Sequence, residues 1–352
     1  MRTYDILNAG ERNRFVANGK IVSNSGRGIQ LQNLYRNSIH TLDEARELIK
    51  AGDLKALQFI YGDVTDILAQ VIRTMLIPKP GYEFIVADYS AIECRVLAWE
   101  AGEDWTLEAF RRGEDIYCST ASQMFGVPVG KHGPNADLRQ KGKVATLACG
   151  YQGGAGALIS MGALDMGLRE SELPDIIEGW RNANPHIVQY WWDLQDACIK
   201  TVQDHKERRV QKIMIRFYAG TLWLTLPSGR SLAFLKPRIQ PNRFGHMSLT
   251  YEGTGSTEGG GKWTRLETYG GKISENLTQA IARDLLMDAM VRMEKAGLEI
   301  VAHIHDEVVV EAKEGEHTLK EVCDIMAKNP PWAPDLPLAA AGYSGAKFYY
   351  KD

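Results

Sequence analysis

Two acidic residues stand at points where predicted β-strands end. Asp88 closes the apolar run EFIVADYS. Asp306 lies between His305 and Glu307 in AHIHDEVVVE, where the flanking residues are typical of a buried strand. If both strands belong to one sheet, the two carboxylates can bind a pair of divalent cations about 4 Å apart, as in in-line displacement at phosphorus. Oxygen ligands favour Mg²⁺ or Mn²⁺ over zinc.

Each of these acidic residues also has a purely structural interpretation. A carboxylate that follows a buried strand can be the N-cap of the next helix, which would explain Asp88. Three polar residues between two strands can be the turn of a β-hairpin, which would explain Asp306 and its neighbours. Taken singly, the two stretches leave both interpretations open.

A third candidate lies on the helix predicted over DLRQKGKVATLACGYQGG. Four residues on it recur at intervals of four and should therefore follow one slowly winding face, namely Arg139, Lys143, Leu147 and Tyr151. One interpretation is a solvated basic turn followed by ordinary core. The other is that the two cations hold a polyphosphate while the leucine and the tyrosine pack against a base.

The elements around these candidates predict a mixed α+β protein. A helix is predicted over 41–52, with Thr41 and Glu44 as a capping box, and a second helix over 65–75. A strand enters a helix over 84–99. Nearly every segment from Asp104 to Gly220 is predicted helical, short strands follow from Ile213, and further elements come after them. Those elements are a helix at 274–296, a hairpin at 298–312, a helix at about 315–328 and a last strand near 337–345.

Composition bounds the class of protein. The chain has 352 residues, 44% of them hydrophobic, and five scattered cysteines without a CxxC pair, which favours neither a disulfide framework nor a zinc site. No segment approaches the roughly 18 apolar residues of a membrane span, so we expect no membrane partner and a cytoplasmic protein, in the host cytoplasm if viral. The net charge of −3 means that any nucleic-acid site must be local or completed by another molecule.

Together the three candidates resemble motifs A, B and C of the family A (bacterial DNA polymerase I-like) DNA polymerases. Their sequences are similar to those of the bacteriophage branch of this family. Motif A spans 84–99 with DYSAIE, motif B spans 139–154, and motif C spans 302–311 with HDE. The stretches GIQLQNL and ENLTQAIARDLL add to a similarity that covers about residues 20 to 350.

The resemblance implies the palm and fingers of a right-hand polymerase fold. The palm, an antiparallel sheet with helices, would comprise 1–113 and 271–352. An inserted and mainly helical fingers subdomain with a β-ribbon extension would occupy 114–270. Neither a thumb nor a 3′→5′ exonuclease domain is expected within these residues.

The resemblance also implies the residues that bind metal. Asp88 and Asp306 would hold two Mg²⁺ ions, for which Mn²⁺ could substitute. The backbone carbonyl of Tyr89 would be a further ligand, and Glu307 would support the site. Catalysis would rest on Asp88 and Asp306 together with Lys143, the proton donor to the leaving pyrophosphate.

The resemblance further implies which residues bind nucleotide and DNA. The dNTP would be bound by Arg139, Lys143, Leu147, Tyr151 and Glu93. Among these, Arg139 and Lys143 would hold the triphosphate, and Glu93 would be the steric gate against a 2′-hydroxyl. The primer-template would be bound by Gln32, Asn33, Gln279, His305 and Arg27.

The chain departs from the family pattern at three positions. Leu147 stands where the family usually has Phe or Tyr, so stacking on the incoming base is lost. Ala148 replaces a usual Gly. Ser23 stands where the family has an Arg, for which Lys20 or Arg27 could substitute.

The implied function is that of a DNA-directed DNA polymerase catalytic subunit in phage DNA replication. Its partners would be primer-template DNA, dNTPs and a separate polypeptide that carries the thumb and the exonuclease. A non-catalytic polymerase-like structural subunit and a relative of single-subunit RNA polymerases remain alternatives, although Glu93 at the gate favours deoxynucleotides. A metal-dependent nuclease would explain the carboxylates but not Arg139 and Lys143.

Overall fold

The chain folds as an α+β protein with antiparallel sheets, which confirms the predicted class. The computed structural model describes residues 14–17, 20–23, 34, 35, 37–39, 41–242, 245, 247–255 and 262–350, with the backbone alone for 14–17 and 20–23. No helix in this described part is long and apolar enough to cross a bilayer.

The described residues contain twelve α-helices and twelve β-strands. The helices are α1 Leu42–Ala51, α2 Leu54–Tyr61, α3 Val64–Val71, α4 Ile92–Ala101, α5 Asp104–Arg111, α6 Ile116–Phe125, α7 Leu138–Cys149, α8 Ala155–Ser160, α9 Leu173–Ala183, α10 Pro185–Asp204, α11 Gly270–Lys295 and α12 Leu319–Ala327. The strands are β1 Arg14–Ala17, β2 Lys20–Ser23, β3 Tyr82–Tyr89, β4 Arg208–Val210, β5 Ile213–Tyr218, β6 Thr221–Thr225, β7 Ser231–Pro241, β8 Met247–Thr254, β9 Trp263–Thr268, β10 Glu299–Ile304, β11 Glu307–Lys313 and β12 Ala340–Ala346.

The chain forms two compact units. The larger comprises Ala91–Leu285 and Asn329–Leu338. The smaller comprises the described residues up to Ser90, together with Leu286–Lys328 and the described residues from Ala339. The subdomain boundaries predicted near 113 and 270 stay predictions.

A four-stranded antiparallel sheet organises the smaller unit, in the order β10-β11-β3-β12. Its central strand β3 is buried from Phe84 to Ala87, because neighbouring strands pair with both of its edges and apolar residues point to both faces. Helix α12 packs on β3 and β12. Helices α1 to α3 enclose an apolar cluster of their own that contains Ala45, Leu57, Ile67 and Val71.

The larger unit combines helices α4 to α10 with a six-stranded antiparallel sheet. Its strands β4 to β9 pair in chain order, and helix α10 packs along β4 to β8. Trp180 and Trp191 are buried and stacked 6.0 Å apart between ring centroids, as expected of core residues. Trp192, the next residue along α10, is 51% exposed.

Some helix boundaries differ from the predictions for local reasons. The capping box at the start of α1 is wrong, because the Thr41 hydroxyl bonds to the Tyr61 hydroxyl at 2.8 Å and does not cap the helix. Helix α2 was not predicted; the Asp53 side chain begins it by accepting from the Ala56 amide at 2.9 Å. The helix predicted at 65–75 is α3 followed by a short 3₁₀ turn, Ile72–Met75.

Candidate active site

Strand pairing in the smaller unit brings the end of β3 to the turn between β10 and β11. Glu307 is the register partner of Asp88. The backbone amide of Tyr89 donates to the carbonyl oxygen of Asp306 at 3.2 Å. Residues more than 200 positions apart, Asp88 and Asp306, therefore occupy neighbouring backbone positions at one end of the sheet.

Asp88 does not cap the helix that follows it in sequence. Helix α4 begins at Ile92, its N-cap residue is Ala91 in the left-handed region at φ 51°, and no side chain caps it. The N-cap interpretation of Asp88 is therefore wrong. The Asp88 side chain is instead half-buried at the end of the central strand.

The HDE stretch is a hairpin turn, as one of its two interpretations predicted. Ile304 pairs with Glu307, so His305 and Asp306 form a two-residue turn. His305 has a φ of 53°, a left-handed conformation that few side chains adopt, and it is exposed. Asp306 is half-buried and Glu307 is buried. The turn thus gives the three residues of HDE three different environments.

The donor atoms at this end of the sheet suit a hard cation. Two carboxylates and backbone carbonyls are oxygen ligands of the kind that Mg²⁺ accepts, usually with water and substrate completing its shell. The buried Tyr89 side chain donates its hydroxyl to the Met326 carbonyl at 2.9 Å, so this residue could contribute only its backbone carbonyl. In the described residues no three His, Cys, Asp or Glu side chains are grouped to hold a metal.

Glu307 is held by a network that the sequence did not reveal. The Tyr349 hydroxyl donates to its carboxylate at 2.7 Å, and burial and this carboxylate raise the pKa of Tyr349. The buried guanidinium of Arg73 donates to the Tyr349 hydroxyl at 3.5 Å and to the carbonyls of Leu34 and Tyr35 at 2.6 and 2.8 Å. One arginine thus connects motif C to the segment just after Gln32 and Asn33.

In the larger unit, the first cation of motif B is already engaged. Arg139 lies at the start of α7 and donates through Nη2 to Asp115 at 2.8 Å and through Nε at 3.3 Å. Burial raises the pKa of Asp115, but the hydrogen bonds from Arg139 and the Cys118 amide, together with the charges of Arg139 and Lys131, outweigh burial and lower that pKa to about 2. A triphosphate held by Arg139 would compete with this carboxylate or share the guanidinium with it.

The next two residues of motif B are more accessible. Lys143 is half-buried and has no hydrogen bond or ion pair within the described part of the chain. Leu147 is 44% exposed, an unusual position for a leucine on a helix whose other face is packed. Gly142 lies on that packed face, where the Cβ of any other residue would approach the Ala121 Cβ to 2.9 Å.

The last residue of motif B lies beyond the helix. The sequence predicted that α7 would include Tyr151, but the helix ends at Cys149, because the Trp191 indole donates to the Gly150 carbonyl at 3.0 Å and Gly271 donates to the Gln152 side chain at 3.1 Å. From this turn the Tyr151 hydroxyl donates to Glu93 at 2.7 Å. Burial and this carboxylate raise the pKa of Tyr151.

The predicted DNA-binding residues are only partly described. Gln279 is exposed on α11 and its side-chain amide donates to Glu275 at 3.4 Å. Arg27, Gln32 and Asn33 lie outside the described residues, as do the side chains of Lys20 and Ser23. Their assignment stays a prediction.

A buried carboxyl group that the sequence analysis missed lies near the hydrogen-bonded pair of Glu93 and Tyr151. Glu100 on α4 is fully buried and accepts from the hydroxyls of Thr278 and Tyr190 at 2.7 and 3.0 Å. It joins the helix of Glu93 to α10 and α11. A signal was present, since Glu100 follows Val96 by four residues on the apolar face of α4.

The wild-type protein is expected to lose stability as the pH rises from about 4.5 to 8, and Glu100→Gln is expected to remove this pH dependence. Burial raises the pKa of Glu100 to about 8, above the 4.5 of the unfolded chain. The folded state therefore keeps a proton that the unfolded state loses, and stability falls by up to about 1.4 kcal/mol per pH unit in this window. Gln mimics the protonated acid, so Glu100→Gln should lose this slope in urea unfolding at pH 5 to 8.

The exposed Glu178 on α9 provides the matched control. Glu178→Gln should leave the pH dependence of unfolding as in the wild type. Equal slopes for Glu100→Gln and the wild type would show that Glu100 is ionised in the folded protein.

Sequence comparisons show which known proteins this chain is similar to. The family model described as DNA polymerase family A matches residues 56–216. The DNA polymerase of Bacillus phage SP02 is 48% identical over 330 residues, which is 93% of this chain and 50% of that protein. The thermostable DNA polymerase I of Thermus aquaticus is 26% identical over 249 residues, 70% of this chain and 24% of that protein. The chain thus spans about half the length of the phage relative and less of the bacterial one.

A solved structure supports the fold. The POL domain of Pol1 from M. smegmatis, in complex with DNA primer-template and dNTP, aligns with a TM-score of 0.54 and 23% identity. The alignment covers 80% of this chain and 42% of that one. At this identity the likeness shows a shared fold.

Proposed function

The chain belongs to DNA polymerase family A, and on that premise we propose that it catalyses DNA-directed DNA synthesis, adding dNTPs to a primer 3′-hydroxyl and releasing pyrophosphate. The observation that carries the proposal is the hydrogen bond from Tyr89 to Asp306, with Asp88 opposite Glu307 in the register. It makes the two motif aspartates neighbours at one end of the four-stranded sheet.

Asp88 and Asp306 would hold two Mg²⁺ ions, with the Tyr89 carbonyl as a further ligand. When bound, such ions would favour the ionised 3′-hydroxyl and offset charge on the α-phosphate. The protein's own part is to fix the carboxylates. The hairpin turn holds Asp306 in place. The hydrogen bonds from Arg73 to Tyr349 and from Tyr349 to Glu307 stabilise this turn.

Substrate binding would fall to the larger unit. Lys143 would contact the triphosphate and give a proton to the leaving pyrophosphate, which a cation without an ion-pair partner in the described chain can do. Arg139 would bind the triphosphate alongside it. Leu147 would pack against the base with less stacking than an aromatic ring, and Tyr151 would hold Glu93 against the sugar.

DNA contacts complete the assignment. His305 on the exposed turn would contact the primer terminus, and Gln279 the primer-template, together with Arg27, Gln32 and Asn33. The M. smegmatis POL domain, which shares this fold, was solved in complex with DNA primer-template and dNTP. The phage setting and the separate thumb and exonuclease polypeptide remain proposals that the resemblance motivates.

Primer extension on a denaturing gel tests this function. A labelled primer-template, dNTPs and Mg²⁺ are incubated with the chain alone, and with the chain plus a polypeptide that carries a family A thumb and exonuclease. We expect template-directed extension that EDTA abolishes. Absence of extension in both settings would refute the proposal, and the second polypeptide alone is the control.

Replacing Glu93 by Ala is expected to raise ribonucleotide incorporation relative to deoxyribonucleotide about tenfold or more. Removing the carboxylate leaves room for a 2′-hydroxyl, and a change of about 1.4 kcal/mol in discrimination is tenfold. Single-nucleotide incorporation with rNTP and dNTP measures the ratio. Tyr151→Phe, which removes the hydroxyl that orients Glu93, should give a smaller rise in the same direction.

Glu178→Ala, an exposed helical carboxylate of the same unit, is the matched control and should keep the wild-type ratio. If Glu93→Ala also keeps that ratio, Glu93 is not the gate.

A further inference from the structure

The six-stranded sheet of the larger unit concentrates positive charge in an acidic chain. From Arg208 to Thr268 the sequence has ten Lys and Arg against three Asp and Glu, whereas the whole chain has 41 against 44. Such a local excess is the electrostatic condition for binding a polyanion. It is not explained by the residues that the proposed function uses, none of which lies in this segment.

The sheet has one packed face and one open face. Helix α10 packs against one side, onto which apolar residues such as Ile215, Leu224 and Phe234 project in register. Residues of opposite parity form the other side. We call it the open face and define it by Arg209, Arg216, Tyr218, Trp223, Arg238 and Trp263.

Aromatic side chains are interleaved with the cations on the open face. Tyr218 is 75% exposed and Trp263 is 57% exposed, which is unfavourable for large rings unless something covers them. Trp223 is half-buried and lies directly across from Arg216 in the register. Flat rings beside cations are the arrangement on which unpaired bases stack while phosphates are neutralised.

Ion pairing leaves part of the charge uncompensated. The Glu252 carboxylate accepts from Lys236 at 2.8 Å and from Arg265 at 3.2 Å, so these two cations share one acid. Arg216 pairs with Glu207. Neither Arg209 nor Arg238 has a carboxylate partner in the described residues, and both are exposed.

We propose that the open face of the β4–β9 sheet binds single-stranded DNA, by stacking bases on Tyr218, Trp223 and Trp263 and contacting phosphates through Arg209 and Arg238. Stacking favours a single strand over a duplex, because the bases of a duplex already stack on each other. That the strand is the template rests on the proposed function, whereas the binding itself does not.

Fluorescence anisotropy with the full chain tests the proposal. The probes are a labelled oligo(dT) of about 20 nucleotides and a blunt hairpin duplex of equal charge. We expect the oligonucleotide to bind more tightly than the duplex. Tyr218→Ala/Trp263→Ala removes two stacking rings and should weaken oligo(dT) binding about 30-fold or more, which is about 2 kcal/mol or more at about 1.4 kcal/mol per tenfold.

A second variant pair probes the charges at exposed positions that tolerate substitution. Arg209→Gln/Arg238→Gln should lower the slope of log K against log salt by about 1.4, which is about 0.7 for each phosphate contact on a single strand. Lys50→Gln/Lys320→Gln removes two exposed cations of the smaller unit and should keep the wild-type slope.

The proposal is overturned if the aromatic double variant binds oligo(dT) as tightly as the wild type, or if the duplex competes equally. Asp306→Asn separates the two functions, because it should abolish extension and keep oligo(dT) binding. If the wild type does not extend the primer but binds oligo(dT) more tightly than the aromatic double variant does, only the proposed polymerase function is overturned.

Discussion

Asp306→Asn is expected to reduce primer extension at least about 10³-fold while the protein stays folded. Asn keeps the size of the side chain and the backbone carbonyl that accepts from Tyr89, but it removes the negative charge that would hold a divalent cation. Electrostatic stabilisation of a charged transition state commonly contributes about 3–4 kcal/mol per group, a factor of about 10²–10³, and metal loss adds to it. Asp88→Asn should have an effect of similar size.

Extension rates are measured under single-turnover conditions at several Mg²⁺ concentrations, and stability by urea unfolding. The free energy of unfolding of Asp306→Asn should stay within about 1 kcal/mol of the wild type, since the residue is half-buried at a turn. Asp324→Asn, which changes an exposed carboxylate on α12 of the same unit, is the matched control. An Asp306→Asn protein that retains a tenth of the wild-type rate would contradict the assignment.

Gly342→Ala is expected to destabilise the sheet by about 3 kcal/mol and to reduce extension with it. Gly342 lies across from Ala87 on the central strand. A Cβ there would overlap the Val86 carbonyl oxygen and lie 2.8 Å from its carbon and 2.9 Å from the Ala87 Cα. These are backbone atoms that cannot rotate away, so β12 must shift from β3, at a cost typical of severe overpacking.

The shift would reach the candidate site, because the preceding residue, Ala341, pairs with Asp88. Urea unfolding measures the stability, and extension assays measure the activity. Gly156→Ala on helix α8, where nothing lies within 4 Å of the added carbon, should be neutral or stabilising by up to about 1 kcal/mol. If Gly342→Ala were as stable as Gly156→Ala, close strand approach at this position would be disproved.

Local sequence patterns identified the site residues that end regular elements. Asp88 follows an apolar run and Asp306 interrupts one, so both could be recognised without knowing what lies beside them. Helix α7 was predicted from its periodicity, yet Tyr151 lies past its end, because a tryptophan 41 residues away caps the Gly150 carbonyl. Nothing within the helix itself signals that partner.

Residues whose role depends on distant partners were missed. The bond between Arg73 and Tyr349 spans 276 positions, and neither residue stands out in its own segment. Glu100 lies on an apolar helical face, so its burial could be predicted from its position. The hydroxyls of Tyr190 and Thr278, which donate to its carboxylate, could not. Arg139 was predicted as a phosphate-binding cation, and only the fold showed its bond to Asp115.

Local patterns along the chain were enough to predict the α+β class, most elements and the residue types that could bind metal and phosphate, because side-chain periodicity and turn chemistry act over a few positions. The three-dimensional fold distinguished between the alternatives for Asp88: this residue is not a helix cap and lies beside the turn of Asp306. It also decided which side of the β4–β9 sheet is packed. The physical reason is strand register: hydrogen bonds between segments far apart in the chain choose which side chains become neighbours, and no local pattern encodes that choice.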